Sequence, residues 1–336
     1  MLYYRPIPQT DAARPKGALT LAGGWTWFDR AEVLTRQGSQ GLIGAGDLPA
    51  MVRAALTRPR AALMGLGMDQ PRLMGVLNTT PDSFSDGGRF DRFDAALAQA
   101  RHLAGHADIL DIGGESTRPG AATVAPGDEI ARTAPLIAAL RQGGLTTPIS
   151  IDSRKAAVAV AALDAGASMV NDVSALGHDP ALGRMVDERA VPVCLMHAQG
   201  GPETMQDDPR YDDVLLDVYD DLAHSIARAE AAGIARDRII VDPGIGFGKT
   251  LDHNLTLIRG ISLFHGLGCP ILLGVSRKRF IGTLADEPQA DRRGPGTIAV
   301  TLAAIAQGVQ IHRVHDTQDA RQALHLWRAV TKGALK

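Results

Sequence analysis

Carboxylate and amide side chains recur in this chain where short apolar runs end. Five of them close such a run on its C-terminal side: Asn78, Asp111, Asp152, Asn171 and Asp242. A side chain of this kind is costly to bury without a partner. Brought together, two carboxylates and an amide suit a flat heterocycle with an amidine-like edge. A carboxylate pair also suits acid/base chemistry or a divalent metal.

Cations close the last two apolar runs. Lys278 follows PILLGVS, and Arg313 and His315 stand in IHRVHD. These side chains argue against an all-acidic metal cage and indicate an anionic substrate. The loop DIGGESTRPGA adds Thr117 and Arg118 behind two glycines, which permit close approach of a ligand. A guanidinium there matches phosphate oxygens, although a solvated loop arginine is the simpler interpretation of this feature alone.

Two further loops carry polar or aromatic residues of interest. In NTTPDSFSDGGRF, residues 78–90, Asn78, Asp82 and Asp86 are hard oxygen donors that suit Mg²⁺ with substrate phosphates, and Asx-turns explain them equally well. DPGIGFGKT, residues 242–250, departs from P-loop spacing. Its glycines predict a loop that carries Phe247 over a pocket, or a structural turn. His197, at the end of another run, fits a hydrogen-bonded structural histidine.

Elements that could bring these residues together begin near residue 72, where short aliphatic runs alternate with Ala/Leu-rich helical stretches. This alternation predicts βα units around a parallel sheet. Eight units could form an open sheet or a closed barrel. Polar residues at nearly every strand end favour an α/β fold of the (β/α)8 TIM barrel type, whose active sites lie at the C-terminal face. The predicted strands span residues 73–77, 107–112, 148–152, 168–172, 192–197, 238–243, 270–276 and 311–316.

The first part of the chain does not fit this repeat. We expect residues 1–70 to form an N-terminal extension and residues 71–336 the barrel. Two β-type runs around Gly23 and Gly24 indicate a hairpin, and a helical stretch starts near Leu48. Its aromatic residues are interpreted as packing residues, with a lid or partner surface as the alternative: Trp25, Trp27 and Phe28.

Composition narrows the classes of partner. A formal net charge of -2 without a Lys/Arg block gives no basis for nucleic acid or a membrane surface as partner, so a small molecule is expected. The start MLYYRPIPQT lacks a signal pattern, and no apolar run approaches the roughly 18 residues of a membrane span. A cytoplasmic location follows as the default. Cys194 and Cys269 are predicted to be buried free thiols.

In order and spacing, MGVLNTTPDSFSDGG, DIGGESTRPGA, ISIDSRKAAVAVAALDAGASMVNDVS, LMHAQGGPETMQDDPRYDDV, DPGIGFGKT, GVSRKRFIG and HRVHD resemble the dihydropteroate synthase family over residues 72–330. The resemblance implies a transferase of folate biosynthesis. It would condense 6-hydroxymethyl-7,8-dihydropterin diphosphate with p-aminobenzoate in the presence of Mg²⁺. It further implies a homodimer and competition by sulfonamides.

The resemblance also implies roles for individual residues. One set would bind the pterin: Asp111, Asp152, Asn171, Met196, Asp242 and Lys278. A second would bind diphosphate: Thr117, Arg118, Arg313 and His315. The aminobenzoate pocket would be Phe84, Pro119, Phe247 and Lys278. Asn78 and Asp86 would hold the metal. Arg279 stands where the family often has Ser, which leaves the contact to the aminobenzoate carboxylate open.

Two rival functions remain at this point. A pterin-binding methyltransferase of related architecture would have no use for a diphosphate-binding set with a metal loop. A catalytically silent paralogue that binds pterin would be free to lose the loops at residues 78–88 and 111–120, which are intact in this chain.

Overall fold

The structure is a computed structural model that describes residues 1–79, 89–116, 123–200 and 205–332, apart from the side chains of 89–92 and 332. In its first part, one sheet has the strand order β1-β4-β5 and a second pairs β2 with β3 across Gly23 and Gly24. A short helix, α1, follows them. The bounds are β1 (Tyr3–Pro6), β2 (Leu19–Thr20), β3 (Trp27–Phe28), β4 (Arg30–Thr35), β5 (Gly38–Gly44) and α1 (Ala50–Thr57).

Eight parallel strands form the centre of the molecule. They are β6 (Arg72–Asn78), β7 (Ile109–Gly113), β8 (Ile149–Asp152), β9 (Met169–Asp172), β10 (Val193–Met196), β11 (Ile239–Asp242), β12 (Leu272–Gly274) and β13 (Ile311–Val314). Their order is β11-β10-β9-β8-β7-β6-β13-β12, and a parallel bridge between Val241 and Ile271 joins the two edge strands. The sheet therefore closes, and the predicted (β/α)8 TIM barrel is confirmed.

Helices cover the outside of this barrel. Side chains of the strands and helices pack in one large apolar cluster, which explains why the strands are almost continuously apolar. Side-chain caps fix where several helices begin: Asp179 accepts from Ala181 N, and Asp213 accepts from Leu215 N and Leu216 N. The helices are α2 (Arg89–Ala104), α3 (Pro126–Gln142), α4 (Ala156–Asp164), α5 (Pro180–Glu188), α6 (Val214–Ala231), α7 (Leu251–Arg259), α8 (Arg279–Leu284), α9 (Gly294–Ala306) and α10 (Thr317–Lys332).

The interior of the barrel has an apolar layer near the amino ends of the strands. Residues two apart on a strand face the same side, so each residue of this layer stands two positions before its counterpart in a second layer near the carboxyl ends. The first layer forms a buried cluster of its own: Met74, Ile109, Met169, Cys194, Ile240, Leu272 and Ile311. The second layer contains Asp111, Asn171, Met196, Asp242 and Arg313.

A tight turn from the N-terminal region closes the apolar end of the barrel. Leu63 and Met68 belong to the same buried cluster as the first interior layer. Leu63 and Leu66 exchange backbone hydrogen bonds of 3.0 and 2.8 Å, and Gly65 supplies a φ of 78° inside the turn. Arg60 Nη2 also donates to His265 O at 2.9 Å. The region before the barrel therefore forms part of the barrel's own core.

Two further observations concern composition. Cys194 and Cys269 are buried free thiols, as predicted. Across the ranges that the structure describes, no helix combines the length and apolar composition needed to cross a bilayer.

Candidate functional site

Arg313 on β13 links carboxylate side chains from two other strands at the carboxyl end of the barrel. Its Nε donates to Asp111 Oδ2 at 2.6 Å, and its Nη2 donates to Asp152 Oδ2 at 2.8 Å. Asn171 Nδ2 donates to the same Asp111 oxygen at 3.1 Å. Four side chains from four strands therefore form one hydrogen-bonded group.

The second oxygen of each of these two carboxylates has no partner. Asp111 Oδ1 and Asp152 Oδ1 are buried and accept no hydrogen bond within the described part of the chain. A buried acceptor without a donor costs about 1–3 kcal/mol, so native structures rarely keep two side by side. The pair is therefore suited to a ligand that brings N–H donors into the barrel.

Asp242 and Lys278 form the opposite part of the site. Asp242 Oδ1 accepts from Gly244 N at 2.7 Å. Lys278 Nζ donates to Ile245 O and lies 4.6 Å from the centroid of the Phe247 ring. The loop after β11 thus wraps around the lysine, and Phe247 stands over its ammonium group. Met196, which is in register with Asp242, is buried at the end of β10.

Several ionisable groups in this site have pKa values that burial or neighbouring charges displace. Burial raises the pKa of Asp152 to about 7, against the opposing effect of Arg313, and also raises the pKa of Asp242. Burial lowers the pKa of Lys278 to about 8, and Asp242 opposes that change. For Arg313, burial lowers the pKa, but Asp111 and Asp152 outweigh burial and raise it. Such perturbed groups in a concave site are typical of functional centres.

The remaining described site residues lie at neighbouring strand ends. His315 Nδ1 is 2.9 Å from Ser276 Oγ, which also accepts from His315 N at 3.1 Å. Asn78 is the half-buried last residue of β6 and is in register with Gly113. No group of three or more His, Cys, Asp or Glu in the described ranges could hold a metal ion. A single amide oxygen from Asn78 is compatible with Mg²⁺, which commonly takes one or two protein ligands beside substrate phosphates.

The structure therefore brings ten of the fifteen expected site residues to the carboxyl end of one barrel. The other five lie outside the described residues: Phe84, Asp86, Thr117, Arg118 and Pro119. Asp82, also noted in the sequence, lies outside them as well.

Two buried ionic groups beside the site were not predicted. Lys155 Nζ donates to Glu115 Oε2 at 3.0 Å and to Glu129 Oε2 at 2.7 Å. Lys249 Nζ lies 2.8 Å from His197 Nδ1. Both lysines stand in polar segments that follow strands, where a solvent-exposed side chain is the default expectation. Lys155 and Lys249 differ from ordinary surface lysines only in being buried, at 6% and 4% exposure. This burial cannot be predicted from the sequence.

Comparison with known proteins matches the chain to the family described as "Pterin binding enzyme" over residues 74–315. The dihydropteroate synthase of Neisseria meningitidis serogroup C is 46% identical over 275 residues, which are 81% of this chain and 96% of that protein. The corresponding protein of Escherichia coli strain K12 is 42% identical over 266 residues, 79% of this chain and 93% of that protein.

Solved structures give the same result. A dihydropteroate synthase of Xanthomonas albilineans with 4-aminobenzoic acid has a TM-score of 0.76 and 43% identity, and the match covers 83% of this chain and 99% of that one. The Xanthomonas albilineans protein in complex with 7,8-dihydropteroate has a TM-score of 0.74 and 40% identity, over 83% of this chain and 100% of that one.

Proposed function

Because the chain belongs to the dihydropteroate synthase family of pterin-binding enzymes, we propose that it condenses 6-hydroxymethyl-7,8-dihydropterin diphosphate with p-aminobenzoate. The products are 7,8-dihydropteroate and diphosphate, and the reaction belongs to folate biosynthesis. The observation that carries this proposal is the pair of buried, unpartnered carboxylate oxygens of Asp111 and Asp152.

The pterin is the part of the substrate that these oxygens recognise. Its ring presents N–H donors along one edge, and a carboxylate accepts N–H bonds in the plane of that edge. Asp111 and Asp152 are already oriented by Arg313, so their second oxygens need no reorganisation when the ring enters. Asn171, Met196, Asp242 and Lys278 complete the proposed pterin site.

The diphosphate is expected on the cationic side of the site. Arg313 and His315 lie at the end of β13, and Lys278 follows β12. Thr117 and Arg118 are proposed to complete this site from the loop after β7. An Arg fork pairs with phosphate oxygens bidentately, which orients the leaving group as well as attracting it.

In the reaction, the bond between the pterin methylene carbon and the diphosphate oxygen breaks, and the oxygen keeps the electron pair. The arylamine nitrogen then bonds to that carbon and loses a proton. The site has cations where the departing anion develops charge and carboxylates where the pterin-methyl group becomes electron-poor. Preorganised charges of this kind are commonly the largest contribution to catalysis. No covalent enzyme intermediate is required.

Mg²⁺ is proposed as the cofactor, held by Asn78 and Asp86. When bound, it would neutralise charge on the diphosphate oxygens. The side chain of Asn78 at the end of β6 supports this assignment because its amide oxygen is a hard donor on the same rim as Arg313.

The arylamine is proposed to bind beside the Phe247 ring, with Phe84 and Pro119 as further walls and Lys278 close to its nitrogen. The position of Phe247 over Lys278 supports this placement. Sulfonamides share the arylamine shape, so we expect them to compete with p-aminobenzoate.

We also propose a cytoplasmic homodimer. Leu326 and Val330 are exposed one helical turn apart on α10, at 63% and 80%, and offer an apolar contact for a second copy. Sedimentation at micromolar concentration tests this state. A single monomeric species would overturn it.

Mass spectrometry tests the proposed reaction. Purified protein is incubated with the pterin diphosphate, p-aminobenzoate and Mg²⁺, and dihydropteroate and diphosphate are measured. We expect product from the wild type and a sharp loss in Arg313→Ala and Asp86→Ala, with exposed Arg184→Ala as the control. Tight pterin binding without product in the wild type would instead indicate a silent paralogue.

A further inference from the structure

Lys249 is a buried cation that the proposed reaction does not use. It follows the loop that carries Phe247, and only 4% of the residue is exposed. Its Nζ lies 2.8 Å from His197 Nδ1 and donates to Phe247 O at 3.0 Å. A buried ammonium is costly unless its donors are paired, so these contacts constrain where the loop can lie.

The contacts continue through His197 to the outside of the barrel. His197 Nε2 lies 3.2 Å from Asp221 Oδ2 on α6. An ammonium has no acceptor, so His197 Nδ1 must accept from Lys249, and the ring proton must then be on Nε2, facing Asp221. Burial lowers the pKa of His197, which agrees with a neutral ring. The carboxylate therefore fixes the imidazole, and the imidazole fixes the lysine.

On its inner side, the same loop holds Lys278. Ile245 O accepts from Lys278 Nζ, and the Phe247 ring lies over that ammonium group. Gly244, with a φ of 66°, packs so closely that a Cβ there would lie 1.8 Å from His197 O. The loop is thus held between two lysines, Lys249 outside and Lys278 inside. The backbone at Gly244 packs directly against the His197 carbonyl and leaves no space for a side chain between them.

We propose that Lys249, held by His197 and Asp221, is a positioning residue that sets where the Phe247 ring and the Ile245 carbonyl stand around Lys278. This inference rests on the proposed function for its effect on p-aminobenzoate, because Phe247 is the expected wall of that pocket. Its structural part, the restraint of residues 244–249, is independent of any activity.

Hydrogen–deuterium exchange of the ligand-free protein tests the structural part. Lys249→Met keeps the length of the side chain and removes its charge and donors. We expect amides of residues 244–249 to exchange about tenfold faster or more in this variant. Arg60→Met is the matched control, since it removes a buried cation on the N-terminal side of the molecule and should leave that segment unchanged. Unchanged exchange in Lys249→Met overturns the proposal whether or not the protein makes dihydropteroate.

Steady-state kinetics test the functional part. We expect Lys249→Met to raise KM for p-aminobenzoate about tenfold or more, with kcat and KM for the pterin diphosphate changed less than about threefold. Asp221→Asn, at a side chain that is 66% exposed and tolerant of substitution, should shift KM in the same direction by less. Equal changes in kcat and in both KM values of Lys249→Met would indicate general destabilisation and contradict the proposal. The same rise in KM for p-aminobenzoate in Arg60→Met would contradict it as well.

The pH dependence provides a signature that a purely structural contact lacks. Burial lowers the pKa of Lys249 to about 7, and the charges of Asp242 and, less strongly, Asp221 oppose this change. KM for p-aminobenzoate should therefore rise as the pH increases through about 7, and the rise should begin at lower pH in Asp221→Asn. In Lys249→Met only the rise from Lys278, near pH 8, should remain. Identical profiles in all three proteins would overturn the proposal. The ionisable groups that face Lys249 are Asp221, Asp242, Lys278, His197, His253 and Tyr211.

Discussion

The two interior layers of this barrel differ in chemistry although they stand two residues apart on the same strands. Ile109, near the amino end of β7, is fully buried among apolar side chains, whereas Asp111, two positions later, is equally buried with one oxygen unpartnered. Met169 and Asn171 repeat the contrast on β9. Two residues on a strand span only about 6.6 Å. The apolar layer near the amino ends of the strands therefore contributes to stability, and the polar layer near their carboxyl ends is available for ligand recognition.

The closure of the two ends follows the same division. Leu63 and Met68 fill the amino end with apolar side chains supplied by the N-terminal region. The carboxyl end is formed by the loops after the strands, and it keeps charged groups whose pKa values are displaced by burial. Substitutions in the two layers should accordingly separate activity from stability.

The largest expected effect is on activity. Asp152→Asn should lower kcat/KM for the pterin diphosphate by about a thousandfold, because a neutral amide replaces a carboxylate that binds the ring and stabilises the electron-poor methylene. The free energy of unfolding should change by no more than about 1 kcal/mol, since Arg313 keeps Asp111 as a partner. Initial rates and urea unfolding measure both quantities. A variant that retains full activity would remove Asp152 from the site.

The complementary substitution lies in the apolar layer. Leu63→Ala removes a side chain that is 2% exposed and should lower the free energy of unfolding by about 2–5 kcal/mol. At a temperature where the variant is folded, kcat/KM should match the wild type. Urea unfolding with parallel assays checks this. A large loss of activity in the folded variant would show that the two layers are coupled.

A smaller effect concerns the pH dependence of stability. Burial raises the pKa of Asp152 from 3.8 to about 7 in the folded protein. Between these values the folded state binds more protons than the unfolded state, so this residue makes stability fall as the pH rises. Urea unfolding from about pH 4.5 to pH 7.5 should therefore show that the unfolding free energy of the wild type, relative to that of Asp152→Asn, falls as the pH rises. The buried Asp242, whose pKa is also raised, accounts for part of the remaining slope. A steeper fall of the unfolding free energy with pH in Asp152→Asn than in the wild type would contradict a raised pKa of Asp152.

The smallest effect is expected at the N-terminal strand, far from both layers. Tyr3→Phe removes a hydrogen bond of 2.8 Å from the Tyr3 hydroxyl to Asp220 Oδ2. Stability should fall by about 0.5–1.5 kcal/mol, with kinetics unchanged. Thermal unfolding and initial rates measure the two effects. A change in KM would connect this strand to the site through α6.

Much of the barrel could be predicted from the sequence because its strands are short, apolar and separated by helical stretches. The predicted strand at residues 148–152 is β8 (Ile149–Asp152), and the one at 311–316 contains β13 (Ile311–Val314). The polar residue at each strand end also carries position information, since parallel strands bring those ends together. That is why Asp111, Asp152 and Arg313, far apart in the chain, could be assigned to one site.

Other features lack a local signal. Leu63 and Met68 stand in a stretch without periodicity, so nothing in the sequence shows that they enter the barrel. The sequence pattern around Asp221 predicts the solvent-exposed face of a helix. Its contact with His197 depends on how α6 packs against β10. Lys249 becomes buried only because the loops after β10 and β11 meet. Such contacts follow from tertiary packing rather than from pattern.

Calorimetric titration with 6-hydroxymethyl-7,8-dihydropterin tests the central claim most directly, because it measures recognition by the carboxylate layer without the chemical step. The wild type and Leu63→Ala should bind with the same Kd, and Asp152→Asn should bind at least about tenfold more weakly. Equal affinity in Asp152→Asn, or a weakening confined to Leu63→Ala, would contradict the division of the barrel into a stabilising layer and a ligand-binding layer.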